Sequence, residues 1–434
     1  MKQEQQHRSQ FALYLSLPIL SWAFYDFANT IFSSNINTIF FPFYMDEVLG
    51  TNEVMQQVAS TFISYANALA SFFLVVFSPL FGVMVDKTGY KKRFIVWFAS
   101  ISIFFTFMMG VFAPLDIPFN YMGVPGSLLL VVISFVIAKF FFNASLVFYD
   151  SMMPDLGTRA EMPLISGFGV AVGYFGTLVG LLVYLYVGDA NFHRSFIPTA
   201  TLYLLFSLPL FFINKDTPIP KEQREKFKFF DGYKEILQTF KDMKGHRNIF
   251  TFMIAYFFLN DAIATTIAMM AVYATAIMGF SSGQFILLYL VSTISTIIGS
   301  LAFGYITKRV GAHKAVSLVA LLMIIALCFA VFATAQWMFW VAGSLFGVSL
   351  GSMWVTSRTL IIELSPEEKR GQFFGLFAFS GKVSSIIGPA IYGTVTFMLR
   401  DYGTIASRIA LSTLIVMTLI GLLIHLRVKG QSTN

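Results

Sequence analysis

The fold is decided by the stretch Gly82-Val83-Met84-Val85-Asp86-Lys87-Thr88-Gly89-Tyr90-Lys91-Lys92-Arg93. This stretch is a short basic loop between two long apolar runs, and two of its glycines are separated by six residues. A weaker copy, Gly304-Tyr305-Ile306-Thr307-Lys308-Arg309-Val310-Gly311-Ala312-His313-Lys314, keeps the same glycine spacing and the basic residues after the second glycine. Two such loops in one hydrophobic chain predict two related bundles of membrane helices.

The composition indicates a membrane protein. Of the 434 residues, 57% are hydrophobic and 12% are charged, whereas a soluble domain carries roughly 25% charged residues. A span needs about 20 apolar residues, and the apolar runs of the chain predict twelve spans. Their predicted bounds are 14–44, 58–84, 94–115, 127–150, 164–187, 197–213, 248–278, 284–307, 315–335, 338–363, 371–399 and 408–427.

The twelve predicted spans divide into six, a polar break and six. We therefore predict an N-terminal six-helix bundle at 1–213, a cytoplasmic linker at 214–247 and a C-terminal bundle at 248–434. Within the break, Tyr233 to Met243 has the pattern of a short amphipathic helix. A solvated linker and a regulatory or lipid-binding segment are both compatible with this pattern.

The basic residues predict the orientation. Of the 29 Lys and Arg residues, 23 fall in segments on one side of the predicted bundle. Basic loops are retained in the cytoplasm, so both termini and the linker are expected to face the cytoplasm in a cell (inner) membrane. This topology explains the net charge of +7 without a nucleic-acid partner. The single cysteine, Cys328, excludes an intrachain disulfide.

This duplicated plan resembles that of the major facilitator transporters, in which two halves rock around a central cavity. The first basic loop resembles the signature loop of that superfamily. The resemblance implies an inner gate latch that holds the outward-facing state, and the alternative is an ordinary positive-inside loop. The gating candidates in the two loops are Gly82, Asp86, Gly89, Lys91, Lys92, Arg93, Gly304 and Gly311. The second copy has Lys308 in place of the acid.

Four separated blocks narrow the resemblance to the vacuole-effluxer-like branch of the major facilitators, whose eukaryotic members are linked to autophagy. The blocks are Trp22-Ala23-Phe24-Tyr25-Asp26-Phe27-Ala28-Asn29-Thr30, Phe148-Tyr149-Asp150-Ser151-Met152-Met153-Pro154-Asp155-Leu156, Ser166-Gly167-Phe168-Gly169, and Phe374-Gly375-Leu376-Phe377-Ala378-Phe379-Ser380-Gly381-Lys382. Asp150 departs from the family, where Asn is more frequent. Because fungal members are associated with amino-acid export from the vacuole, the resemblance implies amino-acid-like cargo.

Ionizable residues inside the spans are the candidate substrate or proton sites, because a charge in the bilayer is costly and normally faces the bundle interior. The first, fourth, seventh and tenth spans line the cavity in the superfamily that the chain resembles, and each of them carries at least one charged residue. The candidates are Asp26, Asn29, Lys139, Asn143, Asp261, Arg358 and Lys382. By helical spacing, Asp26, Asn29, Ser33 and Asn37 share one face, and Lys139, Asn143 and Asp150 share another. Pure helix pairing of these charges is the alternative. Asp150 and Glu363 lie near the inner ends and are expected to form structural or gating ion pairs.

The sequence therefore predicts an all-α membrane protein with twelve transmembrane helices in two pseudo-symmetric bundles. We expect a secondary transporter of a small organic solute, with amino acids or related zwitterions first and proton coupling left open at Asp26 and Asp261. Arg binds carboxylates bidentately, and an acid in the same cavity would hold an ammonium group. The alternatives are efflux of hydrophobic drugs or lipids and a non-transporting sensor or scaffold. No catalytic, metal or nucleotide motif is present, so no enzyme activity and no cofactor are predicted, and a monomer is expected.

Overall fold

The computed structural model is almost entirely helical and describes residues 10–49, 53–121, 124–188, 190–219, 234, 245–280, 282–399, 402 and 404–429. The α-helices are α1 (Gln10–Tyr14), α2 (Leu17–Phe32), α3 (Phe41–Leu49), α4 (Glu53–Thr88), α5 (Lys92–Phe112), α6 (Gly126–Met152), α7 (Met162–Val187), α8 (Phe196–Ile213), α9 (Arg247–Met278), α10 (Ser282–Val310), α11 (Ala312–Val331), α12 (Gln336–Leu364), α13 (Arg370–Met398) and α14 (Thr404–His425).

Short elements complete the described chain. Strands β1 (Asn120–Tyr121) and β2 (Val124–Pro125) pair antiparallel just before α6. Short 3-10 turns occupy Met153–Asp155, Phe192–Ser195 and Glu367–Lys369. Most of the predicted linker, including all of Tyr233–Met243 except Lys234, lies outside the described residues.

The helices match the predicted spans closely. Eleven helices of the described chain are long and apolar enough to cross a membrane. The predicted first span corresponds to α2, a π-helical segment at Ser33–Phe40 and α3, which follow one another without a break. The π-helical segment begins at the polar run Ser33-Ser34-Asn35. Because a π-helix has more residues per turn, it rotates the side chains after Phe32 away from the face that an α-helical spacing predicts.

The packing of the first half is repeated in the second half. In the first half, α2 packs against α7 and α8, α5 packs against α6 and α8, and α4 packs against α6. In the second half, α9 packs against α13 and α14, α11 packs against α12 and α14, and α10 packs against α12. Each of these contacts in one half has its counterpart in the other half, which confirms the predicted pseudo-symmetric pair of bundles.

The two halves meet along two equivalent helix pairs, α4 with α13 and α7 with α10. Glycines allow both close approaches. A Cβ placed on Gly82 would overlap the carbonyl oxygen of Gly371 on α13, and a Cβ on Gly167 of α7 would lie 2.7 Å from the carbonyl oxygen of Ser300 on α10. Gly304, the equivalent of Gly82 in the second loop, lies against Gly167.

Both signature loops turn at their second glycine. Gly89 has φ +68° and Gly311 has φ +87°, a region that favours glycine because a Cβ would clash with the backbone. The amide of Gly89 donates to the carbonyl of Val85, and the amide of Gly311 donates to that of Thr307. Each glycine therefore ends its helix and redirects the chain into the next helix.

Candidate functional site

A buried ion pair joins the two halves near the ends that carry the basic loops. Nε of Arg358 on α12 lies 3.0 Å from Oδ1 of Asp150 on α6, and the two side chains are 8% and 16% exposed. The rings of Tyr149 and Trp354 lie 5.8 and 5.9 Å from the guanidinium carbon. Breaking such a pair by removing one partner costs about 3–5 kcal/mol, because the other charge stays buried.

Tyr149, the ring of the first half that lies beside this ion pair, packs against two further aromatic residues of that half. Tyr149 stacks on Trp22 at 4.6 Å between ring centroids, and the indole N–H of Trp22 donates to the Tyr149 carbonyl at 3.3 Å. Tyr25 donates from its hydroxyl to Ser145 at 2.8 Å. The sequence interpretation gave Trp22, Tyr25 and Tyr149 no role, although all three fall in the blocks that carry the family resemblance.

Asp26 lies beside the ion pair. Its carboxylate faces Gly173 of α7, where an added Cβ would be 2.8 Å from Oδ2, and Arg358 and Asp150 are within electrostatic range. Asn29 has a different neighbour, because its Oδ1 accepts from the Tyr203 hydroxyl on α8 at 3.1 Å. The structure thus brings Asp26 toward Arg358 and places Asn29 against a helix of its own half.

A second polar contact between the halves lies farther along α6. Nζ of Lys382 on α13 donates to Oδ1 of Asn143 at 2.8 Å, and Nδ2 of Asn143 donates to the backbone oxygen of Lys139 at 2.9 Å. The Lys139 ammonium lies 5.6 Å from the Phe135 ring centroid and within electrostatic range of Lys382.

The predicted common face of α6 is present in the structure. Asn143 and Asp150 both contact helices of the second half, and Lys139 lies one turn beyond Asn143. Lys139, Asn143 and Asp150 thus form a polar column along α6, which is about 16 Å long at 1.5 Å per residue. Arg358, Lys382 and Lys139 outnumber the carboxylates of Asp26 and Asp150 in this region, so its net charge is positive.

Asp261, the acid of the seventh span, lies within the second half and away from this column. Its Oδ1 accepts the backbone N–H of Gly388 on α13 at 2.8 Å, and the side chain is fully buried. The alternative in which Asp261 pairs with Lys139 or Arg358 is therefore not the arrangement in the structure, where Arg358 pairs with Asp150.

The first signature loop ends in a contact between the halves. The Asp86 carboxylate accepts the backbone N–H groups of Gly371 and Gln372 at 2.8 and 2.7 Å. These amides belong to the first turn of α13, where the N–H groups have no partner within the helix and an anion is also favoured by the helix dipole. Asp86 thus caps the first turn of α13, a helix of the opposite half.

The basic residues of this loop are held within the first half. Lys91 forms an ion pair with Asp155 at 2.6 Å. The Asp216 carboxylate accepts the backbone N–H groups of Lys91 and Lys92 at 2.7 Å and that of Arg93 at 3.1 Å, which caps α5. Sequence reasoning missed Asp155 and Asp216, because no local spacing relates them to the loop.

The second loop lacks this cap. Its first glycine, Gly304, packs at the interface between the halves as Gly82 does, whereas an added Cβ on Gly311 would meet nothing within 4 Å. Lys308 is exposed to solvent, and a cation is disfavoured at the N-terminus of α7 by the helix dipole. Nearby, the exposed residues Arg159 and Glu367 approach to 3.5 Å across the halves, and Glu363 is within electrostatic range of Arg159. The contacts of the two loops between the halves are therefore asymmetric. Within the described chain, no group of three His, Cys, Asp or Glu side chains has the arrangement of a metal site.

Comparisons with known proteins agree with this architecture. The family model described as "Vacuole effluxer Atg22 like" matches residues 18–433. The chain is 26% identical over 427 residues to the uncharacterized MFS-type transporter YxiO of Bacillus subtilis. The alignment covers 95% of each chain. It is also 23% identical to autophagy-related protein 22 of Kluyveromyces lactis over 78% of this chain and 74% of that protein.

Solved structures share the fold at low identity. A bacterial homologue of the iron transporter ferroportin, crystallized in an outward-facing state, has a TM-score of 0.73 at 13% identity and covers 95% of this chain and 98% of its own. The proton:xylose symporter XylE has a TM-score of 0.71 at 12% identity, covering 97% and 96%. The chain therefore belongs to the vacuole effluxer Atg22-like family and is a multi-pass membrane transporter of the major facilitator superfamily.

Proposed function

We propose that this protein moves a small organic solute bearing a carboxylate through the central cavity by alternating access, with amino acids and related zwitterions as the first class of cargo. The observation that carries the proposal is the buried pair of Arg358 with Asp150, which joins the halves beside Asp26. A carboxylate can replace Asp150 as the partner of Arg358, and Asp26 supplies the opposite charge for an ammonium group.

The excess of cations along α6 favours a carboxylate over a purely hydrophobic solute. Lys382 and Lys139 extend the positive region away from Arg358, so an anionic group can be passed along the column. Fungal relatives are named autophagy-related proteins, and the family is described as vacuole effluxers. These names support export as the direction.

The remaining assignments follow from charge and topology. The basic loops support a cell-membrane protein with both termini in the cytoplasm. In that orientation the contacts of Asp86 and Arg159 close the cytoplasmic side, which gives an outward-facing state. We further propose that the transporter acts as a monomer and not as an enzyme, with Glu363 in the cytoplasmic gate beside Arg159.

Exchange in proteoliposomes tests the proposal. Vesicles loaded with unlabelled amino acids should take up labelled amino acids through the wild-type protein, and Arg358→Ala should reduce this exchange about tenfold or more, as expected for loss of a buried charged contact. The double variant Arg358→Ala/Asp150→Ala removes both charges and protects against misfolding from an unpaired carboxylate. Arg194→Ala, which changes an exposed loop residue, is the matched control.

Three outcomes would contradict the proposal. Flux of a hydrophobic dye or lipid without amino-acid exchange would favour the drug-efflux alternative. Full exchange in a correctly folded Arg358→Ala variant would remove Arg358 from the pathway. A protein without any flux, and without thermal stabilization by amino acids at high concentration, would favour a sensor or scaffold.

A further inference from the structure

Asp261 and Thr265 form a buried polar site that the contacts between the halves do not use. Both residues are on α9, one turn apart, and both side chains are fully buried. Asp261 Oδ2 and Thr265 Oγ1 have no hydrogen-bond partner among the residues that the structure describes. A buried polar atom without a partner is unfavourable, and more so when it is charged, so a ligand of this site is expected.

Gly388 on α13 makes this arrangement possible. Its backbone N–H donates to Asp261 Oδ1 at 2.8 Å. A Cβ placed on Gly388 would lie 2.6 Å from Asp261 Oδ2 and would overlap Thr265 Oγ1. The two unpartnered oxygens therefore lie against the same glycine, with no room for a side chain between them.

The charged and titratable groups around α9 have partners elsewhere. Helices α12, α13 and α14 pack against α9. On α12, Arg358 pairs with Asp150, and Glu363 is within electrostatic range of Arg159. On α13, Lys382 binds Asn143, and Arg370 lies 3.6 Å from Glu367. Arg408 donates to the carbonyls of Val331 and Ala333, His425 contacts His313, and Tyr392 interacts with Ser407. On α9 itself, Tyr256 donates to Asn260 and Tyr273 donates to Ala330. None of these contacts supplies a cation to Asp261.

We propose that Asp261 is a proton-binding site and that the proton on its carboxylate couples the second half to the inner latch. A single proton removes the charge of the buried carboxylate, which no cation among the described neighbours of α9 neutralizes. A small metal cation is the less suitable occupant, because it requires several oxygen ligands, and the contacts point to two oxygens without partners.

The route to the latch runs along α13. This one helix carries the amides that bind Asp86 at its first turn, Lys382 at the contact with Asn143, and Gly388 at Asp261. Gly388 is about 26 Å from Gly371 at 1.5 Å per residue. Pro389 follows Gly388 and provides no N–H, so the helix has one backbone hydrogen bond fewer at this point. A change in the charge of Asp261 alters its bond to Gly388 at the turn of α13 that lacks this backbone hydrogen bond.

The coupling step, unlike the proton site itself, rests on the proposed transport function. Infrared difference spectroscopy of the protein in lipid tests the site without any substrate. A carbonyl band of a protonated carboxylic acid should titrate with pH in the wild type and should be lost in Asp261→Asn. Glu161→Gln, which changes a loop carboxylate, should keep the band.

Two results would contradict the assignment of Asp261 as a proton site. One is an unchanged carbonyl band in Asp261→Asn. The other is a band that sodium chloride removes at constant pH while choline chloride does not, which would assign the site to sodium. In proteoliposomes, Asp261→Asn should lower the ratio of accumulation driven by a pH gradient to exchange without a gradient, by about tenfold or more relative to Glu161→Gln. Wild-type exchange without any effect of Asp261→Asn on driven accumulation would overturn the coupling alone. Absence of exchange in the wild type would refute the proposed cargo and leave the spectroscopic result standing.

Discussion

Removal of the Asp86 carboxylate should shift the transporter away from the state in which the basic-loop ends of the halves are closed. Asp86 is half-buried and accepts two backbone N–H groups of α13, at 2.8 and 2.7 Å. Hydrogen bonds to a charged group contribute about 1.5–3 kcal/mol each when buried, and a helix N-terminus adds about 0.3–1 kcal/mol.

The half-buried position reduces this sum, because the free carboxylate in the open state is hydrated. We expect a net loss of about 2 kcal/mol for Asp86→Ala, which changes the ratio of closed to open states about 30-fold. Asp86→Asn keeps one acceptor oxygen and loses the charge, so its effect should be about half of that in free energy.

The assay is a distance measurement between spin labels at Ala160 and Glu368, two exposed positions on opposite halves. The labels are attached to cysteines in a Cys328→Ser background, since Cys328 is the only native cysteine. Pulsed electron paramagnetic resonance should show a short label-to-label distance in the reference protein. The population with a long distance should be larger in Asp86→Asn and largest in Asp86→Ala. Lys308→Ala, at the equivalent position of the second loop, should leave the distribution unchanged.

Two results would refute the reasoning. An unchanged distribution in Asp86→Ala would mean that the cap does not stabilize the closed state. A shift of equal size in Lys308→Ala would mean that general loop electrostatics, rather than the cap on α13, controls the equilibrium.

Two further predictions concern close helix contacts. Gly82→Ala should open the same interface, because its methyl group would overlap the Gly371 carbonyl, and the label distances should lengthen as in Asp86→Ala; Gly393→Ala, where the added methyl has open space, should leave them unchanged. Gly169→Ala should lower the midpoint of thermal unfolding, since its methyl would overlap the Trp22 ring and overpacking costs about 1–3 kcal/mol. A midpoint equal to that of the wild type would show that Trp22 moves aside without cost.

The helix bounds could be predicted from the sequence because the bilayer imposes a length and an apolar composition on each span. The turns of both loops were accessible as well, since glycine spacing reports backbone conformation. The π-helical segment was not predicted, although the polar run at Ser33 is the signal that marks it. Because the π-helical segment begins at Ser33, α-helical spacing does not place Asn37 on the same face as Asp26.

The sequence by itself determined which helix faces are polar: the spacing of Lys139, Asn143 and Asp150 placed them on one side of α6, and the structure has Asn143 and Asp150 on the interface between the halves. Only the tertiary structure decided the partners. Arg358 pairs with Asp150 rather than with Asp26, Asp261 binds Gly388 within its own half, and Asp86 caps α13. The physical reason is that periodicity defines the direction of a side chain around its helix axis, whereas the neighbour and the relative height of two helices depend on packing between segments that are distant in the chain.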